Sequence, residues 1–322
     1  MSQSRRQGID VSVEELRQVR REAHRLGVAP ADAVASFFPG VYRALFHGRG
    51  IEFDEVRNYQ WGDDYRAVDW RVTARTGQMH TKLFHEERER TLYLLVDAGA
   101  SMQFGSRVRF KWVQAARIAA LFSWLAVENG DRIAGAVFGA GPRVVWQRPT
   151  AGETAALRLF HLLAGVSLPP DGGPSTLAEA LLQLRQLIKP GSLILLLSDF
   201  AALGAEVSRH LAHLQQHNDL AAVQLFDPLE RALPDSGQYP ITDGTSQALL
   251  DCSDGVLRHA YTWRFDDQTA QLKSLFLRYG AKLISIAADA DLVDGLRLAL
   301  MPARFRSPAW RPRRLGERDR DG

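Results

Sequence analysis

The sequence predicts an α/β protein with a doubly wound, mostly parallel sheet, preceded by a helical and β-rich leader. From about residue 89 onward, short apolar strands alternate with amphipathic helices, which is the pattern of a parallel sheet covered by helices on both faces. The 322 residues are 46% hydrophobic and 24% charged, an ordinary composition for a folded chain. Acidic and hydroxyl side chains also follow two of the most apolar strands, where such sheets bind their ligands.

The predicted leader has two parts. Residues 1–47 contain a predicted helix over residues 11–26, because Ser12 and Glu15 form a capping-box pattern and apolar residues recur on one helical face. Residues 48–88 combine glycine turns, dense charge and short stretches of alternating residues, which predict a few antiparallel strands.

Residues 89–300 hold the alternating elements of the predicted sheet domain. The predicted strands are TLYLLVD, RIAGAVF, RVVWQR, LILLLSD, LAAVQLFD and AKLISIA. The predicted helices cover about 108–128, 152–165, 176–188, 203–217, 266–279 and 291–299. The linker GAGP between RIAGAVF and RVVWQR is typical of a hairpin, and a β-like insertion is expected around residues 238–263.

Charge and cysteine content bear on partners and compartment. The net charge of +3 is slight and gives no indication of nucleic-acid binding. Residues 301–322 carry seven arginines with little apolar periodicity, which predicts a disordered basic tail that is either solvated or in contact with an acidic partner or a membrane surface. The single cysteine and the lack of a long apolar run predict a cytoplasmic protein without a transmembrane segment.

Oxygen-bearing side chains mark the predicted ligand-binding edge of the sheet. Asp97 ends the strand TLYLLVD, Ser101 follows it, Asp199 follows LILLLS, and Thr176 begins a helix on a loop that can reach the same edge. Taken singly, Thr176 is equally interpreted as a helix cap and Asp199 as part of a turn. Together, carboxylates and hydroxyls without histidine or cysteine predict a site for a hard cation such as Mg²⁺.

The order of these residues resembles the von Willebrand factor A fold with its metal-ion-dependent adhesion site. The resemblance is carried by D-x-G-x-S after the first core strand, a threonine before LAEAL, and LLLSDF. In that family the first signature is D-x-S-x-S, and a partner's acidic residue completes the Mg²⁺ coordination. The resemblance implies metal roles for Asp97, Ser101, Thr176 and Asp199. Gly99 stands where the family has a serine, which removes one hydroxyl ligand and predicts weak Mg²⁺ binding.

A second resemblance, to the domain-of-unknown-function 58 family, covers nearly the whole chain. It is carried by GRGIEFDEVRNYQWGDDYRAVDWRVTAR, the strand that follows, and QLFDPLERALP. The matching residues are Gly50, Glu52, Phe53, Arg57, Tyr59, Gly62, Asp63, Arg66, Asp69, Trp70, Ala74 and Arg75. Members of that family commonly accompany MoxR-type AAA+ ATPases, thought to act as chaperones in assembling or activating protein complexes. The resemblance therefore implies a MoxR-type AAA+ ATPase and a client protein complex as partners.

The charged segment of residues 48–88 has two interpretations. Arginine–carboxylate pairs can hold together a platform that has little apolar core and packs against the sheet domain. The segment can also be a docking surface, since Trp, Tyr and Arg dominate interface energetics. The candidate partner-binding residues are Arg57, Tyr59, Trp61, Arg66, Trp70 and Arg75.

These features together predict a non-enzymatic adaptor that binds partners at a degenerate metal-ion-dependent adhesion site. Two alternatives stay open: a structural scaffold with no metal bound, which Gly99 favours, and a metal-dependent hydrolase, against which the lack of a candidate base beside Asp97 counts. The sequence has no G-x-x-x-x-G-K-[ST] motif, so it does not resemble the ATPase itself.

Overall fold

The computed structural model describes residues 8–25, 56–59, 70–82, 90–167, 174–201, 203–242 and 247–300. The strands are β1 Val56–Asn58, β2 His80–Lys82, β3 Thr91–Asp97, β4 Arg132–Phe138, β5 Val145–Ala151, β6 Leu193–Ser198, β7 Asp219–Phe226, β8 Gln238–Thr242, β9 Gln247–Asp251 and β10 Lys282–Ala287. The helices are α1 Val13–Arg25, α2 Trp70–Thr76, α3 Lys111–Glu128, α4 Gly152–Ala164, α5 Leu177–Leu187, α6 Ala205–Leu214, α7 Pro228–Arg231, α8 Gly255–Arg278 and α9 Leu292–Leu300. A 3₁₀ helix covers Ala100–Gln103.

A six-stranded sheet in the order β10-β7-β6-β3-β4-β5 forms the centre of the domain. All neighbouring strands are parallel except β4 and β5, which form an antiparallel hairpin. The prediction of a doubly wound, mostly parallel sheet is therefore confirmed. The two innermost strands, β3 and β6, are continuous apolar runs because helices cover both of their faces.

The helices divide into two layers, one on each face of the sheet. One core packs α1, α3, α4 and α9 against the sheet, and the other packs α5, α6 and the carboxyl-terminal half of α8. Helix α3 lies between the sheet and the helices α1 and α4, so sixteen of its residues are buried, including the polar Lys111, Gln114, Arg117 and Ser123. A helix buried on all sides leaves its polar residues in need of internal partners.

The predicted insertion at 238–263 is partly wrong. Strands β8 and β9 form the expected antiparallel hairpin, but α8 begins at Gly255, capped by the Asp254 side chain, and not at residue 266. The first turns of α8 have no apolar stripe, since Val256 is 79% exposed and Trp263 is 70% exposed. The periodicity that normally signals a helix is therefore missing from this stretch. Between the hairpin and α8 lies Cys252, whose thiol is free and fully buried.

The leader is described in part. Helix α1 confirms the predicted amino-terminal helix, and the Glu15 backbone N–H donates to Ser12 Oγ at 3.1 Å. Strands β1 and β2 pair antiparallel, as predicted, whereas the short helix α2 was not expected. The predicted tail of residues 301–322 lies outside the described residues. In the described ranges, no helix is both long and apolar enough to cross a bilayer.

The contact between Gly135 and α4 provides a test of the packing. An alanine Cβ at this position would lie 2.3 Å from the Leu159 Cδ1 atom, and Leu159 is fully buried. We expect Gly135→Ala to lower the free energy of unfolding by about 1–3 kcal/mol, because strand and helix must separate. The matched variant Gly255→Ala meets only ordinary contacts, so its effect should stay within about 0.5 kcal/mol. Urea titration of both variants checks the expectation, and equal effects would contradict it.

Candidate functional site

Asp97 lies at the carboxyl end of β3 and is held by two hydrogen bonds. The Gly99 backbone N–H donates to Asp97 Oδ1 at 2.9 Å, and Ser198 Oγ donates to Asp97 Oδ2 at 2.6 Å. Burial raises the pKa of Asp97 to about 6; these two hydrogen bonds lower it, and the nearby charge of Asp199 raises it further. The structure therefore brings Asp97 and Asp199 to one edge of the sheet, as the sequence predicted.

The glycine at position 99 packs against a second glycine, Gly139, at the end of β4. A Cβ atom on Gly139, which has a φ of +84°, would lie 2.6 Å from the Gly99 nitrogen and 2.8 Å from Asp97 Oδ1. A Cβ atom on Gly99 would lie 3.1 Å from the same Asp97 oxygen. The absence of side chains at both positions thus lets the two strand ends approach the Asp97 carboxylate closely.

Asp199 follows β6 and is paired with a lysine that the sequence analysis missed. Lys111 Nζ donates to Asp199 Oδ2 at 2.9 Å and to Glu230 Oε1 at 2.5 Å, and the lysine side chain is only 1% exposed. Burial alone would lower the pKa of Lys111, but the charges of Asp199 and Glu230 outweigh it and raise the pKa above its ordinary value. The lysine is therefore a permanent buried cation at this edge.

The turn after Asp199 has an unusual backbone. Phe200 has a φ of +55°, a left-handed conformation that costs a non-glycine residue about 1–3 kcal/mol. Its buried ring contacts Phe276 edge-to-face at 5.2 Å between ring centroids, and its N–H donates to Ser198 Oγ at 3.0 Å. These contacts stabilise the turn, which positions the Asp199 carboxylate beside Lys111.

The two predicted hydroxyl ligands are exposed. Ser101 lies in the 3₁₀ helix that follows Asp97. Thr176 caps α5 by accepting a hydrogen bond from the Glu179 N–H at 3.2 Å, and the Thr176 N–H donates in return to the Glu179 carboxylate at 2.9 Å. The helix-cap interpretation of Thr176 thus describes its contacts. Its neighbour Ser175 is buried and accepts a hydrogen bond from the Gly139 N–H at 3.1 Å. This contact places the start of α5 next to the strand-end edge, which is the edge of the sheet that carries Asp97 and Asp199.

The oxygen atoms that would bind Mg²⁺ at the predicted site have other contacts or are missing. Both carboxylate oxygens of Asp199 already accept hydrogen bonds, one from Lys111 Nζ and one from the Ala201 N–H. Gly99 offers no hydroxyl, and Thr176 acts as a cap. Among the described residues, no group of three or more His, Cys, Asp or Glu side chains is arranged to hold a metal ion. Metal binding at Asp97, Ser101, Thr176 and Asp199 stays a prediction.

Two further contacts fasten the loop between β3 and α3 to neighbouring strand ends. Asp227, which follows β7, accepts hydrogen bonds from the Ser106 backbone N–H at 2.8 Å and from Ser106 Oγ at 2.5 Å. Arg109 Nη1 donates to the backbone oxygens of Ala288 and Ala290 beyond β10. Neither contact has a short-range sequence signal, because the partners lie more than a hundred residues apart.

A cavity of about 670 Å³ opens beside the Asp199–Lys111–Glu230 cluster, between the strand ends of β6 and β7 and helix α8. The aromatic residues Phe200, Phe226, Tyr261 and Phe265 line it, as do Arg264 and Gln268 on α8. Mostly apolar concave sites with a few polar groups are the usual shape of binding sites in proteins.

The predicted partner-binding residues are only partly described. Trp70 begins α2 with 54% of its surface exposed, and Arg75 is exposed in the last turn of the same helix. The half-buried Tyr59 donates its backbone N–H to the Met79 oxygen at 2.8 Å. Arg57 lies in β1, and its side chain is outside the described atoms, as are Trp61 and Arg66 altogether.

The fold and the strand-end edge define an α/β protein with a polar, lysine-neutralised edge beside an aromatic cavity. Residues 55–271 match the family described as protein of unknown function DUF58, and the chain belongs to this family. The uncharacterized protein Rv1480 of Mycobacterium tuberculosis is 30% identical over 260 residues, covering 80% of this chain and 81% of that protein. The uncharacterized protein YeaD of Bacillus subtilis is 47% identical over 49 residues, 15% of this chain and 12% of that protein.

Solved structures with a partial likeness to this chain include two from other bacteria. An aerotolerance-related membrane protein from Bacteroides fragilis has 13% identity and a TM-score of 0.41, covering 65% of this chain and 96% of that chain. A von Willebrand factor type A structure from Catenulispora acidiphila has 14% identity and a TM-score of 0.32, covering 47% and 35% respectively. The fold itself is defined by the strand order of the sheet and by the helices on its two faces.

The raised pKa of Asp97 predicts a pH-dependent stability. A carboxyl whose pKa rises from 3.8 to about 6 on folding stabilises the fold fully below pH 3.8, and this contribution is lost as the pH rises through about 6. We therefore expect the free energy of unfolding, relative to Asp97→Asn, to fall by about 2 kcal/mol as pH rises from about 4 to about 7. Urea titrations of both proteins across this range, in chelator, measure the difference. A difference independent of pH would contradict the expectation.

Proposed function

We propose that the chain is a non-enzymatic protein-interaction adaptor that works with a MoxR-type AAA+ ATPase in the assembly or activation of a client protein complex. The identity of the ATPase comes from the family resemblance stated above. The observation that carries the interaction role is the cavity at the strand-end edge, because it combines aromatic walls with an exposed arginine. Aromatic and arginine residues contribute most of the binding energy in protein interfaces.

The fixed shape of the strand-end edge supports the same role. Lys111, Ser106 and Arg109 join the loop before α3 to residues that follow β6, β7 and β10. A partner that docks against this edge therefore meets a surface that is already ordered, and less conformational entropy is lost on binding.

A second docking surface is the exposed helix α2. Trp70 and Arg75 lie on this short helix with much of their surface in solvent. An adaptor that joins an ATPase to a client needs two surfaces, and the cavity and α2 are two candidates among the described residues.

The alternative of a structural scaffold without metal is favoured by one contact. The buried Lys111 ammonium occupies one oxygen of the Asp199 carboxylate that a metal-dependent partner interaction would use. On this alternative the edge has a role in stability only, and substitutions in the cavity leave partner binding unchanged.

A charge introduced into the cavity should weaken partner binding. Gln268 is exposed on α8 and lines the cavity. We expect Gln268→Arg to weaken binding of a purified MoxR-type ATPase by about tenfold or more, since a long charged side chain would fill the docking space. Biolayer interferometry with the immobilised full chain measures the dissociation constant.

The matched control is Gln216→Arg. Gln216 is exposed and precedes β7, so it lies at the amino ends of the strands, opposite the cavity. This variant should bind as the wild type does. Equal losses in both variants would argue against the cavity as the docking surface, and no binding by the wild-type chain would remove the ATPase proposal.

A further inference from the structure

We infer that the Lys111 ammonium supplies the positive charge at the strand-end edge that the sequence pattern assigns to Mg²⁺, so that this edge is complete without a divalent cation. The inference does not rest on the adaptor proposal. Three features support it: the two carboxylates that the lysine nitrogen contacts, the helix start from which the lysine comes, and the repulsion that a second cation would meet beside it.

The lysine nitrogen lies between two carboxylates that it holds together. Lys111 Nζ lies 2.9 Å from Asp199 Oδ2 and 2.5 Å from Glu230 Oε1, while protein oxygens bind Mg²⁺ at about 2.0–2.1 Å and Ca²⁺ at about 2.3–2.6 Å. The two carboxylates come from the segments that follow β6 and β7. A divalent cation at the same point would serve the same purpose, which is to hold two acidic strand ends together.

The location of Lys111 in its helix shows that the two carboxylates, and not the helix, stabilise its buried charge. Lys111 is the first residue of α3, where the helix dipole disfavours a positive charge. Its side chain is buried, which by itself costs several kcal/mol for an ammonium ion. Only the paired contacts with Asp199 and Glu230 offset both costs, so the lysine is held as an internal counter-ion.

The lysine ammonium disfavours a second cation beside Asp199. Asp97, Asp199 and Glu230 are the three carboxylates that interact with Lys111. A divalent ion beside Asp199 would stand next to the lysine ammonium, and like charges at such distances repel strongly in a buried site.

A different explanation for weak metal binding is the missing hydroxyl at Gly99. The two explanations differ in what each substitution does. If the missing hydroxyl is what prevents cation binding, Gly99→Ser restores binding although Lys111 is still present. If the lysine ammonium is what prevents cation binding, Gly99→Ser has no effect on binding, and only removal of the lysine allows a cation to bind.

The experiment compares the full-length wild type, Gly99→Ser and Lys111→Ala, with Mn²⁺ as the probe. Electron paramagnetic resonance measures bound Mn²⁺ at total Mn²⁺ concentrations up to about 1 mM, which matches the dissociation constants of the weakest protein cation sites. The melting temperature of each protein is recorded with Mg²⁺ and with EDTA. We expect no bound Mn²⁺ and no Mg²⁺-dependent shift for the wild type and Gly99→Ser. We expect Lys111→Ala to bind Mn²⁺ and to melt at a higher temperature in Mg²⁺ than in EDTA.

Three results would overturn the inference. One is Mn²⁺ bound by the wild type and lost in Asp199→Ala; another is Mn²⁺ bound by Gly99→Ser; the third is a folded Lys111→Ala that binds none. If Lys111→Ala does not fold, the wild type and Gly99→Ser still decide, because both keep the lysine. No partner protein enters these measurements, so their outcome is separate from that of the ATPase binding test.

Discussion

A single buried ammonium ion is the contact on which the strand-end edge depends. Lys111 joins the first turn of the most buried helix to the acidic residues that follow two neighbouring strands of the sheet. Removing one partner of such a cluster leaves an uncompensated buried charge, which typically costs about 3–5 kcal/mol. Lys111 therefore ties the end of β6, and Asp199 with it, to the first turn of α3.

The loop between β3 and α3 shows how the remaining strand ends are tied to the same point. Ser106 contacts the carboxylate after β7, and Arg109 contacts carbonyl oxygens after β10. Asp227 and Glu230 are themselves linked by the capping box of α7, in which Glu230 accepts from the Asp227 N–H at 2.7 Å. Polar contacts thus hold the ends of β6, β7 and β10 to the segment between β3 and the first turn of α3. Several satisfied polar contacts of this kind make a polar edge rigid.

The accuracy of the sequence predictions followed the range of the interactions involved. Strands β3 and β6 were evident because burial on both faces requires continuous apolar residues, and Asp97 and Asp199 could be placed together because parallel strands end at one edge. The start of α8 was missed because exposed residues such as Val256 carry no apolar period. Lys111 was missed because its partners lie 88 and 119 residues away, and one lysine at a helix start has no distinguishing signal.

The buried cysteine has a practical consequence for following the motions of this protein. Cys252 is the only thiol in the chain and is enclosed between the exposed β8–β9 hairpin and the start of α8, where its carbonyl oxygen accepts a hydrogen bond from Arg258 Nη1. A thiol-specific reagent can reach it only when this junction opens, so the labelling rate at one site reports that local event without any engineered probe. Comparing this rate with the rate of global unfolding would measure how independently the hairpin and the start of α8 open from the sheet.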